Sequence, residues 1–145
     1  MTVRVLTEQD WPAAARLYAQ LNTKASFVAD AEAQANFAKV LRHDGTFVYG
    51  ALLNGEVQAM ATLHLMPNVT YGGRPYGLIE NVVSDKAARG LGLARAVMKA
   101  AIEEAWLANA YKVMLLTGQQ NEAVGFYEKM GFSSDEKIGM ILRRP

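Results

Sequence analysis

The 145-residue chain has no cysteine, which excludes disulfides, thiolate nucleophiles and cysteine-based zinc sites together. It has only two histidines, His43 and His64, and Ser26, Ser84, Ser133 and Ser134 lie in no G-x-S-x-G elbow. Neither a serine triad nor a metal-ligand cluster of recognised spacing can be read, and no metal is expected. Excess charge is missing as well: 15 Lys+Arg against 14 Asp+Glu leave a net charge of +1. No global field draws the chain to nucleic acid or an anionic membrane, so any anion site is local. Trp11, Tyr18, Phe47, Tyr49 and Trp106 fall at core periods with no basic stripe between them, which places nucleic-acid binding low. No apolar run approaches the roughly 20 residues that span a bilayer, and Met1-Thr2-Val3-Arg4-Val5 is not the apolar h-region of a signal peptide. A soluble, cytoplasmic protein is expected.

What is present suits one domain over residues 1–145, with 51% apolar residues and no linker or repeat. Size scaling gives about 7,400 Å² exposed when folded, against about 23,000 Å² unfolded. The pattern predicts a strand over 3–6 and a helix from an N-cap near Thr7 to about residue 21, ended by Asn22. A second helix opens at Asp30 and stops at His43-Asp44-Gly45. Strands over 46–53 and 56–65 flank Asn54-Gly55, a two-residue type I′ turn signal. A strand over 76–83 follows, then a helix over 90–108 with Ala94, Val97, Met98, Ala101, Ile102 and Ala105 inward and Arg95, Lys99, Glu103 and Glu104 outward. A strand over 111–117, a short helix over 121–130 with Gly131 at its C′ position, and a terminal strand over 138–142 complete the order βααβββαβαβ. This is an α/β fold, an α+β mixed sheet with helices on both faces.

Between the third strand of the hairpin region and the long helix lies Ser84-Asp85-Lys86-Ala87-Ala88-Arg89-Gly90-Leu91-Gly92-Leu93-Ala94. Glycines let backbone approach a ligand closely, and the free N–H groups at a helix start suit a phosphate. Lys86, Arg89, Arg95 and Lys99 add positive charge there. The Rossmann fingerprint fails because position 95 is Arg, and the P-loop fails because no Gly-Lys-Ser/Thr follows. Taken alone, the turn is equally well a tight strand-to-helix connection.

Arg89-Gly90-Leu91-Gly92-Leu93-Ala94 resembles the Q/R-x-x-G-x-G/A motif of the GNAT superfamily of acyl-CoA-dependent N-acetyltransferases. Asn121-Glu122-Ala123-Val124-Gly125-Phe126-Tyr127-Glu128-Lys129-Met130-Gly131-Phe132 is similar to that superfamily's N-x-x-A-x-x-F-Y-x-x-x-G-F, with the Ala shifted to two residues after Asn121. The strand order agrees too, so the resemblance covers essentially the whole chain. Ile79-Glu80-Asn81-Val82-Val83, Tyr111-Lys112-Val113 and the ending Met140-Ile141-Leu142-Arg143-Arg144 look most like glucosamine-6-phosphate N-acetyltransferases. Those enzymes usually carry an acid where this chain has Asn81 and a His where it has Leu78. Aminoalkylphosphonate acetyltransferases are a second partial likeness.

The resemblance implies transfer of acetyl from acetyl-CoA to a small-molecule primary amine by direct attack in a ternary complex. The pyrophosphate would lie on Arg89, Gly90, Leu91, Gly92, Leu93, Ala94 and Arg95, and the pantetheine beside Val82, Val83 and Ser84, with Asn121 touching it. A primary amine of pKa near 10.4 is neutral in about one molecule in 2,500 at pH 7, a deficit of roughly 4.6 kcal/mol, so a base is needed. Glu80 is the candidate, directly or through water, unless it is simply exposed or paired with Arg74. His64 is a second candidate, though a lone His near a strand end is more often structural. Tyr127 matches the family tyrosine that protonates the departing thiolate. A transfer from pKa near 10 to pKa near 8.5 is uphill by roughly 2 kcal/mol, so Tyr127 assists in concert with bond cleavage. The first two helices and the Pro67–Pro75 loop would rim the acceptor side, with residues 22–28 and Tyr71-Gly72-Gly73-Arg74 as its contacts and Arg74 suited to an acidic group. The resemblance also implies a homodimer, in which Arg143 and Arg144 reach a partner's site through the final strand. Two other readings keep the cradle: a non-catalytic acyl-CoA-binding sensor, and a peptide or protein N-acetyltransferase.

Overall fold

The computed structural model describes residues 1–21, 26–119 and 123–145. Five strands lie side by side in chain order: β1 (Thr2–Val5), β2 (Thr46–Leu53), β3 (Glu56–Met66), β4 (Tyr76–Ser84) and β5 (Val113–Met114). Neighbours are antiparallel except β4 and β5, which run parallel. Asn54 and Gly55 turn β2 into β3 at φ 53° and 82°, as their type I′ signal requires.

Alternation along the strands builds a core on each face. Ala59, Ala61 and Leu63 of β3 and Ile79 of β4 meet Leu93, Val97, Met98, Ala101 and Ala105 of α3 (Leu93–Leu107). On the other face Val48, Val57, Met60 and Val83 meet Ala14 and Leu17 of α1 (Trp11–Tyr18) and Phe37 of α2 (Ala31–Arg42). The Asp30 carboxylate caps α2, accepting from Ala33 N at 2.9 Å. The last helix, α4 (Ala123–Lys129), ends in a Schellman turn: Gly131, at φ 99°, donates to Glu128 O and Phe132 donates to Tyr127 O.

Several expectations are corrected. Helix α1 ends at Tyr18, three residues short of the expected 21, and Asn22 falls outside the described residues. Helix α3 starts at Leu93 rather than at Gly90, because Gly90 and Gly92 are left-handed. Glu104 does not face water freely: its Oε2 accepts the Tyr49 hydroxyl at 2.9 Å, tying α3 to β2. Burial first, then Glu104 and Glu103, push that Tyr49 hydroxyl up to about 12. Trp106, read as core, is 52% exposed.

The strand expected over 111–117 shrinks to two residues, paired Gly77 with Val113 and Leu78 with Met114. The strand expected over 138–142 does not form; Ile138 and Leu142 are 91% and 99% exposed. Its alternating apolar side chains have no sheet face to cover, and without a buried face a ladder has little to hold it. The chain exposes 9871 Å², well above the size expectation of about 7,400 Å², and this uncovered end contributes. No described helix is long and apolar enough to cross a membrane.

Candidate active site

A bulge in β4 shapes the site. Met60 pairs with Val83 and Thr62 with Glu80, so Asn81 and Val82 together oppose Ala61. Asn81 takes φ 54°, a left-handed value that Asn tolerates better than most residues. Gly77 N donates to Lys112 O at 2.9 Å toward β5, whereas Asp85 N donates to Gln58 O at 2.7 Å toward β3. Counting by two from either end, the phases collide at the bulge, and the amides of Ile79, Val82 and Ser84 face away from β3. Among the described residues β5 pairs only as far as Leu78, so beyond it β4 presents an open edge.

The glycine turn stands at the end of that edge. Gly90 and Gly92 adopt φ 80° and 78°, and a Cβ on either would meet nothing within 4 Å. Glycine is therefore required by backbone conformation, and the space before the turn is open. Gly92 occupies the N-cap of the 15-residue α3 with no side-chain cap. The first helical bond after the turn runs from Ala96 N to Gly92 O, so the amides of Leu93, Ala94 and Arg95 point outward at the positive end of the helix dipole. Leu91 is exposed, Leu93 is buried in the core, Ala94 is half-buried, and Arg89 and Arg95 are exposed. An extended ligand ending in phosphates fits this donor set.

The turn is held from a distance. Arg16 Nη1 pairs with Asp85 Oδ2 at 3.0 Å, Gln20 Nε2 donates to the same oxygen at 3.2 Å, and Lys86 N donates to Gln20 Oε1 at 2.9 Å. Asp85 Oδ1 accepts from Ala87 N at 2.9 Å. That amide, Gln20 and Arg16 hold the buried Asp85 carboxyl below its usual range against the opposing effect of burial. Sequence reasoning missed this clamp, since Arg16 on α1 and Gln20 just after it stand 69 and 65 residues from Asp85.

The two expected chemical residues approach the opening from opposite faces. Glu80 is exposed and directly opposite Thr62, on the face of α1 and α2. Tyr127 packs against the α3-side core, 5.2 Å from Phe126 and 6.1 Å from Phe132 between ring centroids. Burial raises its hydroxyl above the ordinary tyrosine value. Val82 packs on the α3 side, while the Val83 side chain is spent in the α1/α2 core and its amide, by the same count, faces β3. Asn121 lies outside the described residues. Arg74 spends two of its donors within the chain: its Nε and Nη2 donate to Asn109 O and Ala110 O at 3.0 and 3.3 Å, pinning its loop to the turn before β5. It pairs with Glu80 in no ion pair of the described residues. His64 Nδ1 lies 2.9 Å from Thr46 Oγ1, which also meets His43 Nδ1 at 2.9 Å, a structural chain.

On the Glu80 face a groove of about 410 Å³ opens between α1, α2 and the bulge, with Trp11, Phe27, Asp30, Phe37 and Asn81 among its walls. Tyr18 also lines it, its hydroxyl bonded with Thr62 and raised by burial. Trp11, Tyr18, Phe37 and the cap Asp30 belong to the first two helices and Phe27 to residues 22–28, all segments expected to rim the acceptor, whereas Asn81 was not among them.

A mixed sheet whose fourth strand loses its parallel neighbour halfway, with a glycine-opened helix start at the mouth, is the arrangement that the resemblance to acyl-CoA-dependent acyltransferases implies. The chain belongs to the acetyltransferase (GNAT) family, which it matches over residues 7–132. It is similar to the glucosamine 6-phosphate N-acetyltransferase of Trypanosoma brucei brucei, at 34% identity over 139 residues, 94% of this chain and 92% of the relative. A solved protein of Agrobacterium tumefaciens strain C58, named as an acetyltransferase, superposes with TM-score 0.93 at 43% identity over 99% of this chain and all of that one. A solved Trypanosoma brucei acetyltransferase gives TM-score 0.77 at 31% identity, covering 98% of this chain and 99% of the other. The protein is an acetyl-CoA-dependent N-acetyltransferase.

Proposed function

We propose that the protein acetylates a primary amine of a small molecule by direct attack in a ternary complex. The observation that carries this reading is the open β4 edge ending at the uncapped, glycine-opened start of α3, beside a groove on the Glu80 face. Acetyl-CoA, when bound, supplies an acetyl thioester. The amides of Leu93, Ala94 and Arg95 hold its phosphates, with Arg89 and Arg95 beside them, and the outward amides of Val82 and Ser84 pair with its extended arm. The Val82 N–H then serves as donor to the thioester oxygen as charge builds there. Glu80 takes a proton from the bound ammonium, directly or through one water, and the neutral amine so formed attacks the thioester carbon. Tyr127 donates its hydroxyl proton to sulfur as the C–S bond breaks. Its raised pKa makes it a weaker acid, which suits assistance in concert rather than prior transfer.

The same reading extends to assembly. Ile138, Met140 and Leu142 form an exposed apolar row on a segment that passes Leu116 just after β5, where a Cβ on Gly139 would come within 2.7 Å of the Leu116 side chain. A second copy of the chain covers this row and brings Arg143 and Arg144 toward its neighbour.

Thermal unfolding with acetyl-CoA, dephospho-CoA and NAD tests the cradle, followed by CoA release on a panel of amines including amino sugars. A ligand at 100 times its dissociation constant stabilises by about 2.7 kcal/mol, so a rise of several degrees with acetyl-CoA is expected. No shift at millimolar ligand would sink the enzyme reading, and a shift without turnover on any free amine would favour a sensor or a peptide acetyltransferase.

A further inference from the structure

Four aromatic rings that line the groove on the Glu80 face pack on one another in a closed cycle, with Phe37 buried, Trp11 and Tyr18 half-buried and Phe27 exposed. Trp11 lies 6.3 Å from Phe27, Phe27 5.6 Å from Tyr18, Tyr18 6.2 Å from Phe37, and Phe37 5.6 Å from Trp11, centroid to centroid. Asp30 and Glu32 stand exposed at its rim, and Asn81 of the bulge, next to Glu80, forms its inner end. Among the described lining residues there is no Lys, Arg or His. Arg74, the loop cation best placed by sequence to meet an acidic acceptor, is occupied by two backbone carbonyls.

We propose that this groove takes a primary ammonium borne on an aromatic body, an arylalkylamine, and discriminates against phosphorylated amines. The proposal rests on the acetyltransferase reading and names the acceptor class for it. Ring faces attract a cation and stack on an aromatic body, while a phosphate gains nothing from them. The two carboxylates add attraction for the ammonium and repulsion for a phosphate. They also offset the positive N-terminus of α2, which would otherwise favour an anion. A cationic acceptor held here has its amine directed toward the bulge, where Glu80 can take the proton.

Fluorescence separates this proposal from the reading beneath it. The chain has two tryptophans, so Trp106→Phe, on the exposed side of α3, leaves Trp11 as the only reporter. In that background 2-phenylethylamine should change the emission saturably, and neutral 2-phenylethanol and glucosamine 6-phosphate should bind at least about tenfold more weakly. Asp30→Asn with Glu32→Gln should weaken the amine about fivefold to tenfold and leave the alcohol unchanged, since Asn caps a helix as well as Asp does. Glucosamine 6-phosphate binding as tightly as the amine, or an amine affinity indifferent to the two neutralised carboxylates, overturns the proposal. The acetyl-CoA thermal shift reports on the α3 cradle, whose residues do not line the groove. Amine binding without that shift sinks the enzyme reading and leaves the groove standing, whereas the shift without saturable amine binding sinks the groove proposal alone.

Discussion

Arg16 on α1 and Asp85 just after β4 meet at 3.0 Å, and through that contact a helix on the acceptor side fixes the loop that enters the glycine turn. Asp85 accepts from three groups, the Arg16 guanidinium, the Gln20 amide and the Ala87 N–H, so its removal frees the loop from all of them. Asp85→Ala should raise KM for acetyl-CoA about tenfold while kcat stays within about twofold, because the chemical groups lie elsewhere. Steady-state kinetics at saturating amine checks this. An equal fall in kcat with KM unchanged would show that the clamp serves the transition state and not the cradle.

Gly90 and Gly92 carry a separate expectation. A Cβ at either meets no atom within 4 Å, yet φ near 80° costs a non-glycine residue about 1–2 kcal/mol. Gly90→Ala and Gly92→Ala should thus lower the melting temperature modestly and weaken acetyl-CoA binding by more than the stability loss explains. Calorimetric titration beside thermal unfolding gives both quantities. Affinity that survives in both variants would mean the turn holds no ligand.

Much of this was legible beforehand. The Asn54-Gly55 hairpin, the Asp30 cap, the long helix and the Gly131 stop each depend on residues close in sequence, so local chemistry suffices to place them. The bulge at Asn81 was not legible, because it arises from how β4 registers against β3 and leaves only a polar residue in an apolar run as its trace. Nor was the aromatic cycle, which joins rings from α1, α2 and the chain before α2. The strand expected over 138–142 failed for the opposite reason: its alternation is real, but alternation does not supply a partner.

Tyr127 and Glu80 divide the proton work, and their losses should look different. Tyr127→Phe should lower kcat about 10²-fold with KM for both substrates little changed. Glu80→Gln should lower kcat by a similar factor at pH 7 and recover activity as pH rises, since a more alkaline solution deprotonates the amine without help. Rate profiles from pH 6 to 10 distinguish them. A Glu80→Gln profile parallel to the unaltered protein would remove Glu80 from the role of base.

Asp10 gives the fold an acid limit. Arg4 first, with the Thr7 backbone amide, holds its carboxyl down to about 2, against about 3.9 in an unfolded chain. A depressed pKa adds stability above the unfolded value that is lost as pH falls from about 4 through about 2. Arg4 is exposed enough for solvent and salt to hold the effect to about 1 kcal/mol. Asp10→Asn should therefore lower the urea midpoint at pH 7 and flatten its dependence between pH 4 and 2. An unchanged slope would show that other carboxylates set the acid limit.

The uncovered end of the chain sets a test of assembly. Ile138, Met140 and Leu142 alternate along an extended segment and are almost fully exposed, a row that a second copy can cover by pairing at the edge beyond β5. Sedimentation should give twice the 15.9 kDa of one chain at micromolar concentration. Replacing the three side chains with Asp should return the monomer without unfolding it, because none of them belongs to either core. A chain that sediments as a monomer before any substitution refutes the pairing. A dimer that persists after the three Asp substitutions places the contact on another surface.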